Sequence, residues 1–437
     1  MNQVQLAHEF RSGNLPVTNY VSQIESFFEK REPAVLAFTP EENRFERLRR
    51  EAAALVSNFP DPARRPPLFG MLTGVKDIIH VNGFITQAGS RLPSRELQGN
   101  EAESVTRLRN AGALIMGKTV TTEFAYFLPG PTRNPYNPEH TPGGSSSGSA
   151  AAVGAGLCPL ALGTQTIGSL LRPAAFCGVV GFKPTYERVS RDGIIDLSTS
   201  FDHIGFFTPD AGTAKKVASV VIGRSAWRLE TDDRKPVLGI PEGAYLNCAS
   251  DYALTCFNAI CDSLAEAGYE LRRVRVMDNY EEVRARHDVI MSADAARVHE
   301  KWFEKYETLY SSKLTELIRR GQPALRKARG GVSSPQLQIA FEARDKFRAE
   351  IMQIMSDSRI DLWVAPPAHG PAPRGLDNTG DPVMNLPWTQ IGFPAINLPA
   401  GKNQEGLPMG FQVIGKWNMD EELLAWAEDL EKVVNNL

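Results

Sequence analysis

Two stretches rich in glycine and hydroxyl side chains stand out from the apolar sequence around them. They are Gly143-Gly144-Ser145-Ser146-Ser147-Gly148 and Gly163-Thr164-Gln165-Thr166-Ile167-Gly168-Ser169. Pro142 fixes one backbone angle before two glycines free the next, which suits an ordered loop packed against something else. Such a loop could cradle a phosphate in its amides. The lysine of the G-x-x-x-x-G-K-[ST] pattern is missing, however, because Ser149 and alanines follow Gly148. In the second stretch, Ser169 ends a turn whose amides could form an oxyanion hole beside its own hydroxyl. The pattern is not G-x-S-x-G, which argues against the α/β-hydrolase elbow.

A nucleophilic serine needs a base. None of the seven histidines has an evident site context; His140, nearest the first stretch, reads as a solvated loop residue. Lys76 interrupts the apolar run Leu72, Val75, Ile78 and Ile79, so its stem is expected to be buried. Desolvation lowers a lysine's pKa and frees its lone pair for proton abstraction. Asp77 offers the competing reading, a structural ion pair with Lys76, and the local pattern weighs the two about equally.

These residues need rigid elements to hold them. Residues 1 to 58 read as helical, with Leu6, Phe10, Tyr20, Ile24, Phe27 and Phe28 near helical spacing, and Pro60, Pro66 and Pro67 end the segment. Short apolar strands are predicted at Leu72–Val75, Leu114–Met116, Pro159–Leu162, Pro236–Ile240, Leu362–Val364, Pro394–Leu398 and Gly410–Ile414, and Val179, Val180 and Gly181 are apolar before Lys183 and Pro184. Helices are predicted over Val105–Ala111, Ser149–Gly156, Tyr252–Ala267, Ala293–Ile318 (amphipathic and superficial), Leu337–Met355 and Asp420–Val434. Polar Arg326–Gln336 reads as a connection, and Pro- and Gly-rich 366–382 as a loop near a site or a surface. Alternating helices and short apolar strands indicate an α/β protein, with one continuous domain as the simplest account.

Composition narrows the function classes. Forty-eight basic residues nearly balance 51 acidic ones, a formal charge of -3, without the surplus or stripe typical of a nucleic-acid binder. The five cysteines are odd in number and form no C-x-x-C pair, which points to a reducing compartment and away from a disulfide scaffold. No basic leader precedes an apolar stretch. Ala150–Leu162, weakly polar but broken by glycines and a proline, falls short of a membrane span. A cytoplasmic location is expected, and a homodimer is the base-rate expectation.

The ordered blocks resemble the amidase signature family over roughly residues 60 to 430. The resemblance is carried by Leu72-Thr73-Gly74-Val75-Lys76-Asp77 with Gly83 and Ala88-Gly89-Ser90, and by the run from Gly143 through Ser169. It continues in Arg172-Pro173-Ala174-Ala175-Phe176-Cys177-Gly178 and Gly181-Phe182-Lys183-Pro184-Thr185, then in Gly392-Phe393-Pro394-Ala395 and Gly406–Gln412. It implies a central mixed β-sheet covered by helices on both faces and a single domain over 1–437. That domain would have an N-terminal helical segment 1–58 and a variable, mostly helical elaboration at about 215–360 that shapes the pocket. It also implies a Ser–cis-Ser–Lys triad: Ser169 as nucleophile, Ser145 as proton relay at the family's cis peptide, and Lys76 as base. The backbone amides of Thr166, Ile167, Gly168 and Ser169 would form the oxyanion hole. The implied reaction is hydrolysis of a small-molecule carboxamide through an acyl-enzyme, with no cofactor and no metal.

The chain departs from the family in places. Where the commonest version of the second loop reads Asp-Thr-Gly-Gly-Ser, Gln165 replaces the Asp and Ile167 the first Gly; Ile167 either narrows the acyl pocket or simply packs. Gln-Thr-x-Gly-Ser-x-x-Arg-Pro is similar to the branch that includes malonamidase, in which the arginine matching Arg172 holds a substrate carboxylate. Pro173 biases Arg172 toward extended backbone. Gly144 and Trp388 are further substrate-binding candidates, and Asn385-Leu386-Pro387-Trp388-Thr389 looks more like free-standing amidases than the corresponding component of the tRNA-dependent amidotransferase. The alternatives are a glutaminase-type component of an amidotransferase and a catalytically silent binding protein on the same scaffold.

Overall fold

The computed structural model describes residues 14–223, 234–326 and 335–435, together with Glu9, Ser12 and Trp227. Leu6, Phe10 and most of the connection Arg326–Gln336 lie outside the described residues. Ten strands form one sheet in the order β2-β1-β3-β5-β4-β9-β10-β8-β6-β7. They are β1 (Leu72–Lys76), β2 (Leu114–Thr119), β3 (Leu160–Gln165), β4 (Val180–Lys183), β5 (His203–Thr208), β6 (Leu238–Glu242), β7 (Leu271–Arg275), β8 (Leu362–Ala365), β9 (Ala395–Lys402) and β10 (Pro408–Ile414). Strands β2, β1 and β3 run parallel, as do β8, β6 and β7. The pairings between these triplets are antiparallel, so the sheet is mixed.

Alternation along the strands feeds two cores, because successive side chains point to opposite faces. Leu114 and Met116 of β2 pack with Leu72, Ala161 and Phe207. Their cover is α1 (Val17–Val35), α2 (Arg44–Asn58) and α4 (Ser147–Gly154). Ile115, Val75, Leu162 and Phe206 face the other way. There they meet α3 (Glu103–Asn110), α6 (Ala211–Val221), α7 (Asp251–Glu266) and α12 (Asp420–Val434). The third core gathers Trp363, Trp388, Tyr245 and Met355, between α10 (Pro335–Asp357), α11 (Leu386–Gln390) and the sheet. The remaining helices are α5 (Leu171–Cys177), α8 (Tyr280–Tyr306) and α9 (Ser312–Arg326).

Several expectations need correction. The single helix expected over Ala293–Ile318 is two, broken by a 3-10 turn at Glu307–Leu309. Nor is α8 superficial: His287, Ile290, Asp294 and His299 are all buried. Strand β7, not expected from the sequence, lies inside the mostly helical stretch 215–360 and, with β6, extends the sheet. His140 is buried, not solvated, its Nδ1 lying 2.8 Å from the Ala372 carbonyl. Arg172 is helical rather than extended. Pro173 falls in the first turn of α5, where a missing N–H goes unused, and the Arg172 amide itself donates to the Gly168 carbonyl at 3.1 Å.

Candidate active site

Lys76 is the last residue of β1, and Thr164 lies at the end of the parallel neighbour β3. With Val75 opposite Leu162, both strands leave the sheet at the same edge, the usual place for a site in a parallel region. The Lys76 ammonium is fully buried and donates to Ser145 Oγ and Thr164 Oγ1, each at 2.7 Å. Asp77 turns away and pairs with Lys118 at 2.9 Å. That pairing removes the ion pair with Lys76 that the local sequence left open. Burial pushes the Lys76 pKa well below its ordinary value, and the distant charge of Asp202 only partly opposes this.

The loop before α4 brings Ser145 over Lys76. The Gly144–Ser145 peptide is cis, and Gly143 has φ +81°. A Cβ on Gly143 would stand 2.8 Å from Pro173 Cα, so glycine is needed for both conformation and space. The serines that follow bind the loop to the sheet: Ser146 Oγ donates to the Thr164 carbonyl at 3.0 Å, and Ser149 Oγ to that of Leu162 at 2.8 Å.

Ser169 sits at the end of the second stretch, directly before α5, and is 7% exposed. Gln165 Oε1 accepts from the amides of Leu170 and Leu171 at 2.8 and 3.1 Å, while its Nε2 donates to Thr389 Oγ1 at 2.8 Å. Gln165 thus ties the start of α5 to α11. Thr166 Oγ1 donates to Asp202 Oδ1 at 2.5 Å, and Asp202 Oδ2 accepts from the amides of Leu197 and Ser198. Burial, with Asp196 nearby, pushes the Asp202 pKa up to about 8. A Cβ on Gly168 would lie 2.3 Å from Asn385 Oδ1, so no larger residue fits. Among the described residues, the amides of Ile167, Gly168 and Ser169 donate to no protein group.

A pocket of about 280 Å³, counting its open mouth, collects these parts. It is lined by Ser145, Thr166, Ile167, Gly168, Ser169 and Arg172, together with Ala125, Tyr126, Phe127, Leu197, Thr379 and Pro382. Arg172 is 2% exposed, and its Nη2 donates to the Gly144 carbonyl at 2.7 Å and to Thr379 Oγ1 at 3.2 Å. Its Nε and Nη1 have no hydrogen-bond partner. Burial lowers its pKa to about 10, opposed by Asp381. Gly144 offers its carbonyl to Arg172 and is not a lining residue. Trp388 is fully buried, its Nε1 donating to Tyr245 Oη at 2.9 Å; it too is not among the residues lining the pocket.

Sequence reasoning missed Thr164, Asp202, Tyr126, Phe127 and Thr379. Two of them carried a signal: Thr164 lies in the second glycine and hydroxyl stretch, and Thr379 in the 366–382 loop marked as near a site or a surface. Asp202 depends on where the sheet brings the start of β5, and Tyr126 and Phe127 on the 3-10 turn Glu123–Ala125 before them.

The amidase family model matches residues 20–424, so this chain belongs to the amidase family and is an amidohydrolase. It is 33% identical over 425 residues to the A component of the glutamyl-tRNA(Gln) amidotransferase of Deinococcus radiodurans, with 88% of each chain covered. To the same component of the Koribacter versatilis enzyme it is 30% identical over 416 residues, covering 84% of this chain and 85% of that one. In structure it matches a crystal structure of an amidase at TM-score 0.87 and 28% identity, over 99% and 100% of the two chains. It also matches the peptide amidase of Stenotrophomonas maltophilia at TM-score 0.81 and 24% identity, over 99% and 97%, a likeness of fold alone. These structural relatives are of amidase and peptide-amidase type.

Proposed function

We propose that the chain hydrolyses a small carboxamide to a carboxylate and ammonia or an amine, through an acyl-enzyme on Ser169. The observation that carries this reading is the buried Lys76, bonded to Ser145 Oγ and ion-paired with no carboxylate among the described residues. Neutral Lys76 takes the Ser145 hydroxyl proton as Ser145 takes that of Ser169, and Ser169 Oγ attacks the amide carbonyl. The free amides of Ile167, Gly168 and Ser169, with that of Thr166 beside them, receive the developing oxyanion. Each such donor contributes about 3–4 kcal/mol to the transition state. The proton returns through Ser145 to the leaving nitrogen, and water then releases the acid. Arg172 lines the pocket and has two buried guanidinium nitrogens without a hydrogen-bond partner; it would read a carboxylate or another strong acceptor on the substrate. The chain works in the cytoplasm on this reading, in keeping with five unpaired cysteines. Among the described residues no helix is long and apolar enough to cross a membrane.

The test is ammonia release from aliphatic, aromatic, ureido and carboxylated amides, with mass spectrometry of the trapped acyl-enzyme. Ser169→Ala and Lys76→Ala should abolish turnover, and Ser145→Ala should cripple it. Lys76→Arg should be as inactive as Lys76→Ala, since a guanidinium does not give up its proton. For the wild type, kcat/KM should fall as the pH drops through the depressed Lys76 pKa and stay level above it. Full turnover by folded Ser169→Ala, or an adduct on another residue, overturns the mechanism. The identity to the amidotransferase components favours one second reading, a glutaminase-type component of such an enzyme. Glutamine as much the best substrate in the same screen would establish it.

A further inference from the structure

The pocket wall made by Ala125, Tyr126 and Phe127 has an unusual construction. Phe124 has φ 45° and ψ 40°, and Ala125 has φ 59°. Two successive non-glycine residues are thus held in left-handed backbone, which persists only where the surroundings over-determine it. One end of the turn hangs on the site itself, the Thr122 amide donating to the Ser145 carbonyl at 3.2 Å. The Phe124 amide donates to the Ala88 carbonyl at 2.8 Å, and further supports come from the helical region remote in sequence. The Phe124 ring stacks on Tyr310 at 5.6 Å and on Trp302 at 6.1 Å, and meets the edge of His299 at 4.7 Å. Glu123, buried beside it, accepts from the Ser311 amide at 3.1 Å. His299 and Trp302 belong to α8, and Tyr310 and Ser311 form the junction with α9.

This clamp delivers two half-buried rings to the pocket: Tyr126 and Phe127 pack edge to face, 4.8 Å apart. Even with its open mouth counted, the space they bound comes to no more than about 280 Å³, an upper figure that still falls below the range of sites that take drug-sized ligands. No described residue between 234 and 326 lines it. The helical region therefore reaches the pocket at second hand, through the turn it clamps and through Asp294 of α8, which accepts from Ser198 Oγ at 2.8 Å beside the lining Leu197.

We propose that Tyr126 and Phe127 set the length of acyl group the enzyme accepts, restricting it to amides of short-chain acids. Phe124 and Glu123 are the positioning residues through which the α8–α9 junction holds that wall. The inference rests on the proposed amide hydrolysis at Ser169, but it concerns which acyl groups fit and not the chemistry.

The test is a series of straight-chain primary amides from acetamide to hexanamide. In the wild type kcat/KM should fall beyond the shortest members. Phe127→Ala should raise the hexanamide-to-acetamide ratio about tenfold or more, the usual scale of discrimination for a methylene in an apolar pocket. Glu123→Ala should move the ratio the same way by releasing the wall. Glu123→Gln, which keeps an acceptor for the Ser311 amide, should restore the wild-type ratio. A merely structural Glu123 would lower turnover of every amide alike and leave the ratio unmoved. The same series is then bound calorimetrically to Ser169→Ala and to Ser169→Ala with Phe127→Ala. A length dependence of affinity that flattens with Phe127→Ala supports the wall even if the wild type hydrolyses none of these amides, in which case only the chemistry falls. Unchanged ratios and unchanged affinities, with Ser169-dependent hydrolysis intact, overturn the wall.

Discussion

At the scale of single residues, the site turns on what each buried cation touches. Lys76 and Lys118 stand on neighbouring parallel strands, yet among the described residues Lys118 pairs with a carboxylate and Lys76 does not. A paired lysine keeps its proton, whereas an unpaired buried one gives it up easily. Arg172 holds the Gly144 carbonyl through Nη2, while its Nε and Nη1 are buried without a partner in a residue that lines the pocket. Both halves can be measured. Arg172→Lys should slow every substrate, because one ammonium cannot hold Gly144 as the fork does. A half-amide of a dicarboxylic acid should lose a further amount of about 1.5–3 kcal/mol in kcat/KM, the scale of a hydrogen bond to a charged group. The comparison is with a neutral isostere in both proteins. Equal losses for the two amides would leave Arg172 as a clamp alone.

At the scale of elements, the loop carrying Ser169 is fixed by side chains on both sides. Gln165 holds the first amides of α5 and reaches to α11, while Asp202 holds Thr166. Gln165→Ala would leave two buried amides without an acceptor, a loss of about 1–3 kcal/mol in stability for an unsatisfied group. Because the loosened loop bears the nucleophile, kcat should fall more than KM rises. Thermal melting together with steady-state kinetics checks both parts, and wild-type kcat in a destabilised variant would show that the loop is held elsewhere. The loop's sequence showed its chemistry but not this bracing, since Gln165 and Thr389 are 224 positions apart. The elements themselves were unevenly legible. Asp420–Val434 is readable because its acidic first turn and apolar stripe repeat at helical spacing. Strand β5 was missed because His203-Ile-Gly-Phe-Phe-Thr208 is buried on both faces and so lacks alternation. Strand β7, Leu-Arg-Arg-Val-Arg, was missed because its arginines cap an open sheet edge. The α8–α9 break left no trace, since the apolar spacing runs on across it.

At the scale of the whole molecule, the sheet joins the strands that carry the candidate triad to the C-terminal strands through one pairing. Gly181, Phe182 and Lys183 of β4 lie opposite Asn397, Ile396 and Ala395 of β9. Lys183 is fully buried at that seam and donates to the carbonyls of Pro184 and Phe393. Burial lowers its pKa from the ordinary 10.5 to about 7, opposed in part by Asp420. Between these values the unfolded chain holds a proton on Lys183 that the folded chain does not. Stability attributable to this group therefore rises with pH from about 7 to about 10.5. Below about 7 the folded molecule carries the buried charge, and the cost is complete. Lys76 acts in the same direction and Asp202 in the opposite one, so the wild-type curve alone does not isolate Lys183; a difference between two proteins does. Lys183→Met loses two hydrogen bonds at every pH but gains freedom from the buried charge only on the acid side. Relative to wild type it should be least destabilised near pH 6 and increasingly destabilised toward about pH 9.5, measured as Tm across that range. Parallel Tm curves would mean that Lys183 keeps its proton at the seam throughout, its two carbonyls and Asp420 being enough to hold the charge.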